Sequence, residues 1–409
     1  MSGPVLPPVV DVLVAGTGPA GAAVAAHLAT AGLRVVAVDR ATFPRDKPCS
    51  EYVSPGGVEL LDRLGVLPDL EAAGAVAPAG MTVIGPRGSR LTGGFGHPRG
   101  SVYPRTGLAI SRRTLDHRLV QAARAAGAEV FERTAVEELV YEAGAVAGAV
   151  VRGPTGGREI IRARLTIGAD GLRSVVARRV GRRRHGAPGR LAFVAHVEAV
   201  SGLEGTPEMH VGATGYAGLN RIGPNLTNVA LVVPVTRAAG ARGRPTEYFF
   251  ERLEEFPGVR GRVRRDRLAR EVLVTGPFAA WSGRLVVDGC LLVGDAAEFF
   301  DPFTGQGIYS ALKGAELAAT TASAALERPG IATRAALAPY VAARRHTMMG
   351  KWIIERAIGF GMFLPAAFDR AIARLGAEGE VADTLIGVTG DILPARMLLH
   401  PRFLSRLVL

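Results

Sequence analysis

The chain has 409 residues, enough to bury a large core and to form two or three domains. Apolar residues make up 48% of it and charged residues 21%, which excludes an intrinsically disordered protein. The net charge is +12, and all but three of the 49 basic residues are arginine. We interpret this as an arginine-rich composition, with attraction of anionic ligands as the alternative. The densest basic run, 178–184, lacks aromatic residues that could stack on bases, so no nucleic-acid partner is expected.

Two cysteines, Cys49 and Cys290, are too few for a disulfide framework, so a reducing compartment is expected. The N-terminal residues show no signal-peptide pattern, and a membrane-spanning run is not expected. The sequence therefore predicts a cytoplasmic protein. No metal site is predicted, and the sequence leaves the oligomeric state open.

The first predicted element is a buried parallel strand over 9–15, which a glycine-rich turn follows. The turn and the start of the next helix contain the candidate cofactor-binding residues Gly16, Gly18, Pro19, Ala20 and Gly21. Glycines there allow the backbone to approach a pyrophosphate, and the helix predicted over 19–31 directs its positive end at that anion. A second strand, over 33–38, leads to Asp39, whose carboxylate can accept hydrogen bonds from ribose hydroxyls. This motif predicts a dinucleotide site and does not separate FAD from NAD.

Arginines near this site are further candidates for binding the cofactor. Arg40 and Arg45 follow the second strand, and Arg112 opens a segment with apolar residues at helical spacing. At Arg112 the side chain could reach cofactor or substrate oxygens. A solvated arginine at a helix start is the alternative.

A second glycine motif, 168–171, follows the apolar residues 165–167. Asp170 lies where it can cap the next helix. Contact of this turn with the cofactor or with a nicotinamide stays an open alternative.

The third motif follows a buried strand predicted over 289–293. Asp295 can accept hydrogen bonds from ribityl hydroxyls, which flavin has and NAD lacks. The next turn and the start of a helix predicted over 307–325 supply the candidates Pro302, Gly305, Gly307 and Ile308. Glycines there let the backbone approach a flat ring, and the helix directs its N-terminus at the flavin pyrimidine edge. The three motifs together predict an FAD site.

The motifs in this order resemble the FAD-dependent superfamily of aromatic hydroxylases, squalene epoxidases, flavin halogenases and geranylgeranyl reductases. Within it, residues 43–49 and 301–307 are most similar to the geranylgeranyl-reductase-like branch. The resemblance covers about 9–330. It implies an α/β fold: a Rossmann-like FAD-binding domain of the glutathione-reductase type, an inserted antiparallel-sheet substrate domain and a C-terminal helical tail.

The chain also departs from these relatives. The Trp-x-Trp-x-Ile-Pro segment of flavin halogenases is absent, which disfavours halogenation. The reductases resemble one another at a Tyr-x-Trp-x-Phe-Pro segment, of which 215–221 keeps only Tyr216. They also tend to have glycines after the cysteine, where this chain has Ser50 and Glu51. Both departures weaken an assignment to polyprenyl reduction.

Two residues are tentative catalytic candidates. In the reductase-like branch a cysteine at the place of Cys49 lies near the flavin, where it could tune the site or move a proton. Packing of a small residue is the alternative for Cys49, while Cys290 is expected in the core. Tyr216 is the second candidate. Whether His196 and His210 face the same pocket is left open by the strand pattern.

Three parts of the chain are predicted. The FAD-binding domain comprises 1–78, 105–186 and 275–335, the substrate sheet 79–104 and 187–274, and a helical lid 336–409. The lid's apolar stretch 351–368 is expected to pack on the substrate sheet. A peripheral membrane contact by this segment is the alternative.

The sequence predicts an FAD-dependent monooxygenase that hydroxylates or epoxidises an apolar or aromatic small molecule through a flavin C4a-hydroperoxide. By analogy with the branch, the substrate is a natural-product intermediate, a polyketide or isoprenoid. Only one full dinucleotide motif is present, so NAD(P)H is expected as a transient reductant of tightly bound FAD. The alternative is C=C reduction, with Cys49 or Tyr216 near the proton path. Halogenation and non-catalytic prenyl carriage are less favoured.

Overall fold

The computed structural model describes residues 6–96, 106–180, 182–187, 189–203, 205–399, 401 and 403. Residues 1–5, 97–105 and 404–409, which belong to the predicted segments 1–78, 79–104, 105–186 and 336–409, lie outside the described residues.

The first half of the chain contains the strands β1 (Val9–Ala15), β2 (Val35–Val38), β3 (Tyr52–Val53), β4 (Gly80–Ile84), β5 (Arg90–Gly94), β6 (Leu108–Ala109), β7 (Glu129–Phe131), β8 (Ala135–Glu142), β9 (Ala145–Arg152) and β10 (Arg158–Gly168). The second half contains β11 (Arg183–His185), β12 (Arg190–Glu198), β13 (Glu208–Gly212), β14 (Gly215–Arg221), β15 (Leu226–Pro234), β16 (Leu268–Thr275), β17 (Ala280–Ser282), β18 (Val286–Val287), β19 (Cys290–Leu292) and β20 (Glu298–Phe299). The helices are α1 (Pro19–Thr30), α2 (Pro55–Arg63), α3 (Leu67–Ala72), α4 (Arg112–Ala125), α5 (Val175–Val180), α6 (Pro245–Leu253), α7 (Gly307–Leu326), α8 (Arg334–Gly361), α9 (Pro365–Gly376) and α10 (Gly379–Thr389).

The main sheet is built around β1, which pairs in parallel with β2 on one side and β10 on the other. β7 and β19 extend it in parallel, and β8, β9 and β18 add antiparallel strands. Helices α1, α4 and α7 supply residues to one apolar core beside the sheet, and α5 contributes to a second. Because helices cover both faces of this sheet, its parallel strands consist of continuous apolar runs, as buried parallel strands do.

The register of the main sheet brings the three glycine motifs together. Ala15 at the end of β1 pairs with Gly168 at the end of β10, which in turn pairs with Leu292 at the end of β19. Because parallel strands end at the same edge of a sheet, the turns that follow them share that edge. The predicted α/β class is confirmed, with α1 and α7 within one residue of their predicted bounds.

The second sheet has the order β16-β12-β15-β14-β13-β4-β5, antiparallel except where β13 meets β4. Its strands alternate between two apolar cores, so that Ala192 and Val194 face one side while Phe193 and Ala195 face the other. Helix α6 supplies residues to the second of these cores. The first faces the edge of the main sheet where the glycine motifs meet.

The C-terminal helices border the same apolar core of the second sheet. α8 packs along α7, whereas α9 and α10 lie against β5. The stretch predicted as one apolar segment, 351–368, is divided, because α8 ends at Gly361 and Pro365 starts α9. Among the described residues, every helix is too short or too polar to cross a lipid bilayer.

Candidate functional site

A cleft lies between the edge of the main sheet and the apolar face of the second sheet. One wall carries nine of the predicted cofactor-binding residues: Gly18, Pro19, Ala20, Arg112, Asp295, Pro302, Gly305, Gly307 and Ile308. The opposite wall is mainly apolar and includes Ala192, Val194, Met209, Ala230 and Val232. A polar edge thus faces an apolar sheet, a combination that suits a cofactor beside an apolar ligand.

The glycines of the first turn have different roles. Gly16 has a φ of +90°, and a Cβ there would lie 2.7 Å from the carbonyl oxygen of Ala169. A Cβ on Gly21 would overlap the carbonyl oxygen of Gly16. By contrast, the nearest atom to a Cβ on Gly18 would be 3.6 Å away, on Arg45. Gly16 and Gly21 are therefore required by close packing, whereas Gly18 leaves an open cradle at the N-terminus of α1.

Asp39 follows β2 and is buried beside the same turn. Its carboxylate accepts hydrogen bonds from the backbone N–H of Thr17, at 2.8 Å, and of Ala41, at 2.9 Å. These bonds orient the carboxylate next to the turn and leave it further acceptor capacity. Arg40, the next residue, is exposed at the surface.

Arg112 is buried at the start of α4 and donates two hydrogen bonds to Asp116, at 2.6 and 2.7 Å. Arg45 lies 3.1 Å from the same carboxylate, so two guanidinium groups share one acid. Lys47 also lines the cleft, and burial together with Arg112 and Arg45 lowers the pKa of its ammonium group. The cluster carries three cations and one carboxylate at its centre, so it favours an anionic ligand at this corner.

The second and third motifs each place an aspartate at the edge of the main sheet. One carboxylate oxygen of Asp170 accepts from the N–H of Val175, at 2.6 Å, the first residue of α5. The other oxygen is buried without a hydrogen-bond partner in the described part of the chain, and burial raises the pKa of this carboxyl. Asp295 lines the cleft, and its backbone carbonyl accepts from Arg183 at 3.0 Å. Asp170 thus has a capping contact and one unused acceptor.

Cys49 is half-buried on the wall of the cleft, with its thiol free. The guanidinium of Arg112 interacts with this thiol, and Asn228 donates to the Cys49 carbonyl at 2.9 Å. The Cys49 thiol is therefore held on the cleft wall beside the Arg112 guanidinium.

Tyr216 contributes its ring to the cleft, and its hydroxyl is engaged elsewhere. The hydroxyl donates to Asp301 at 2.7 Å, and Asp301 also binds Arg190 at 2.7 Å. Burial and the neighbouring Asp301 carboxylate raise the pKa of Tyr216 well above its usual value. The ring of Tyr216 therefore forms part of the apolar wall of the cleft. Its hydroxyl proton is held in the hydrogen bond to Asp301.

The two histidines left open by the sequence are both buried and paired with glutamates. Nε2 of His196 lies 2.6 Å from Glu51, and Nε2 of His210 lies 2.8 Å from Glu208. Glu208 also binds Arg262 at 2.7 Å. Cys290 is buried in β19, as expected.

Sequence reasoning missed the residues that hold the loop 49–52 against the second sheet. Glu51 binds His196 and accepts from Asn228 at 3.0 Å, while Asn220 donates to the Ser50 carbonyl at 3.0 Å. The sequence signal that could have identified them is the presence of polar residues within otherwise apolar strands. His196 pairs in register with Asn228, and Asn228 pairs in register with Asn220. Lys47 was also missed, although it is one of three lysines in an arginine-rich chain.

Residues 9–351 match the FAD-binding domain family, and the chain belongs to that family. It is therefore an FAD-dependent oxidoreductase, as the sequence predicted. It is 32% identical to digeranylgeranylglycerophospholipid reductase 2 of Methanothermobacter thermautotrophicus, over 78% of each chain. It is 33% identical to the menaquinone reductase of Mycolicibacterium smegmatis, over 76% of this chain and 75% of that protein.

Solved structures share the fold. A flavin-dependent brominase superposes with a TM-score of 0.80 at 18% identity, covering 94% of both chains. A geranylgeranyl bacteriochlorophyll reductase-like protein of Thermoplasma acidophilum gives a TM-score of 0.72 at 21% identity, covering 98% of both chains. The predicted Rossmann-like FAD-binding fold is thereby confirmed.

The residues present fit FAD. The space beside Gly18 lies at the N-terminus of α1, an end that can accept a pyrophosphate, and Asp39 is held beside the same turn. Asp295 and the unused oxygen of Asp170 could accept hydrogen bonds from flavin hydroxyls or ring N–H groups. The turn from Pro302 to Gly307 borders the same cleft next to the start of α7.

Proposed function

We propose that this protein is an FAD-dependent reductase that saturates a C=C bond in the isoprenoid part of an apolar substrate. One observation carries the proposal: the apolar face of the second sheet forms the cleft wall opposite the cofactor-binding edge. Two relatives above 30% identity that are named as reductases, one of a digeranylgeranyl lipid and one of menaquinone, support it. C=C reduction was the alternative function in the sequence analysis, and here it is the leading proposal.

The chain's own residues would bind and orient the substrate. Val194, Ala230 and Val232 remove apolar surface of the substrate from water, and the ring of Tyr216 adds to this wall. When bound and reduced, FAD supplies a hydride equivalent. Saturation also needs a proton, and we assign it to the Cys49 thiol, which interacts with the Arg112 guanidinium. NAD(P)H is proposed as the transient reductant.

Oxygenation is the second candidate function. The observation that favours it is the departure from the reductase pattern at 215–221, together with Ser50 and Glu51 after Cys49. In the structure Glu51 has a φ of +55°, so this loop retains the left-handed backbone that glycine favours while gaining a buried carboxylate. Ser50 lines the cleft beside Cys49, whereas the Glu51 carboxylate is buried against His196.

One experiment separates the two reactions. Holoenzyme is reduced with dithionite under nitrogen and mixed with menaquinone or a digeranylgeranyl glycerophospholipid, and products are read by mass spectrometry. The proposal expects products whose isoprenoid chain has gained two hydrogens in the absence of oxygen, counted after any quinol has been reoxidised to the quinone. Products that form only in air and carry ¹⁸O from labelled oxygen would instead establish the oxygenase.

A further inference from the structure

A solvent-exposed apolar face lies on the C-terminal helices. Seven of the thirteen large exposed hydrophobic side chains in the described structure belong to it: Met349, Ile353, Phe360, Phe363, Leu364, Met397 and Leu399. We call this set the C-terminal apolar face. Ile353, Leu364 and Leu399 are 63%, 65% and 70% exposed. The other six exposed side chains are dispersed along the chain.

The helical period explains why these residues share a side. Met349, Ile353 and Phe360 are four and seven positions apart on α8, the spacing of one helix stripe. The buried residues of α8, including Tyr340, Arg344 and Met348, lie on its other side. α8 thus exposes three apolar side chains on one side of its second half, where Arg356 also lies, paired with Glu298 at 2.8 Å. Ordinary packing against the protein does not require these apolar side chains to be exposed.

Met397 and Leu399 extend the face from a neighbouring 3₁₀ segment, 395–399. This segment packs against α8, since a Cβ on Gly350 would lie 2.5 Å from the Cβ of Ala395. The face therefore includes two adjacent elements and the turn after α8.

Two basic side chains border the face. Arg345 lies one helical turn before Met349, and Arg396 directly precedes Met397. Both are exposed, and neither has an acidic partner in the described part of the chain. The nearby Asp369 is occupied, because it accepts hydrogen bonds from Ser89 and the backbone of Arg87. An apolar stripe with unpaired arginines at its border is complementary to anionic headgroups above acyl chains.

The face is connected to the wall of the cleft through the buried side chain of Arg190. The Arg190 guanidinium lies over the ring of Phe363, 5.4 Å from its centre, and binds Asp301. Asp301 in turn accepts from Tyr216, whose ring lines the cleft. Residues that would rest in a lipid surface are therefore one packing layer from the site.

We propose that the C-terminal apolar face docks on an anionic bilayer surface. α8 would lie in the interface with Ile353 and Phe360 among the acyl chains and Arg345 at the headgroups. This inference does not depend on which reaction the flavin site performs. Failure of the protein to bind vesicles would therefore overturn only this inference, and failure to reduce alkenes would overturn only the proposed function.

The test is co-sedimentation of holoenzyme with vesicles of phosphatidylcholine alone or mixed equally with phosphatidylglycerol. We expect partition onto the anionic vesicles that falls with added salt, and a loss of about tenfold or more in Ile353→Glu. The matched control is Ile160→Glu, which changes a side chain of similar exposure, 52%, on β10. It should bind as the wild type does.

Flavin absorbance and melting temperature verify that both variants are folded. The proposal is overturned if wild-type protein stays in the supernatant with both vesicles, or if the two variants partition alike. A dimer that Ile353→Glu dissociates, without vesicle binding by the wild type, would assign the face to a second copy and would equally overturn it.

Discussion

The carboxylate of Glu51 and the imidazole of His196 meet at 2.6 Å, and both side chains are buried. Glu51 belongs to the loop beside Cys49, whereas His196 belongs to β12 of the second sheet. The same carboxylate accepts from the backbone N–H of Arg112 at 2.8 Å. One buried acid therefore joins the cysteine loop, the start of α4 and the second sheet.

Replacing Glu51 tests this connection. Glu51→Ala removes the partner of three buried groups, so we expect the free energy of unfolding to fall by about 3–5 kcal/mol. Glu51→Gln retains the shape and part of the hydrogen bonding, and should cost about 1–2 kcal/mol. Urea unfolding followed by circular dichroism measures both. Glu71→Ala, at an exposed position of α3, should change stability by no more than about 0.5 kcal/mol. Equal effects at Glu51 and Glu71 would contradict the assigned role.

The meeting of the three glycine motifs at one edge of the main sheet could be predicted from sequence because each motif is local. Each glycine motif follows its own strand, and the parallel register that joins Ala15, Gly168 and Leu292 brings the three together. The strand, turn and helix signals were correct at each motif for the same reason.

The connection through Glu51 could not be predicted in this way. Its partners His196 and Asn228 are 145 and 177 positions away, and strand period alone does not tell which face of a sheet is the inner one. Arg112 is a different case. Its pairing with Asp116, four positions later on a helix, is a local pattern that the sequence analysis did not use.

A pair of glycine substitutions separates cofactor binding from folding. In Gly21→Ala the new methyl group overlaps the Gly16 carbonyl, so we expect the apoprotein to lose about 3 kcal/mol or more of stability. In Gly18→Ala the methyl group fits, so apoprotein stability should be nearly unchanged while FAD affinity falls about tenfold or more. Thermal melts and FAD fluorescence titration measure the two effects. A Gly18→Ala protein that binds FAD normally would show that the cradle is not the pyrophosphate site.

The two candidate catalytic residues should respond differently to substitution. Cys49→Ala removes the proposed proton donor and should lower the turnover number about a hundredfold, with little change in melting temperature. Tyr216→Phe removes a hydroxyl that is bound to Asp301, so it should cost about 1 kcal/mol of stability and retain most of the activity. Single-turnover oxidation of the reduced enzyme by substrate compares them. The reverse pattern, with Tyr216→Phe inactive and Cys49→Ala active, would move the proton donor to Tyr216.

Glu355 on α8 predicts a pH dependence of stability. Burial raises the pKa of its carboxyl from 4.5 to about 7, the neighbouring acids Glu298 and Asp301 adding to the shift and Lys351 opposing it. Because the folded state holds this proton more tightly than the unfolded state, the resulting stabilisation is complete below pH 4.5 and is lost as the pH rises to about 7. Glu355→Gln mimics the protonated side chain, so its free energy of unfolding relative to wild type should increase by about 3 kcal/mol across this window. Urea unfolding at a series of pH values measures it, and parallel curves for the two proteins would show that Glu355 titrates as an ordinary glutamate.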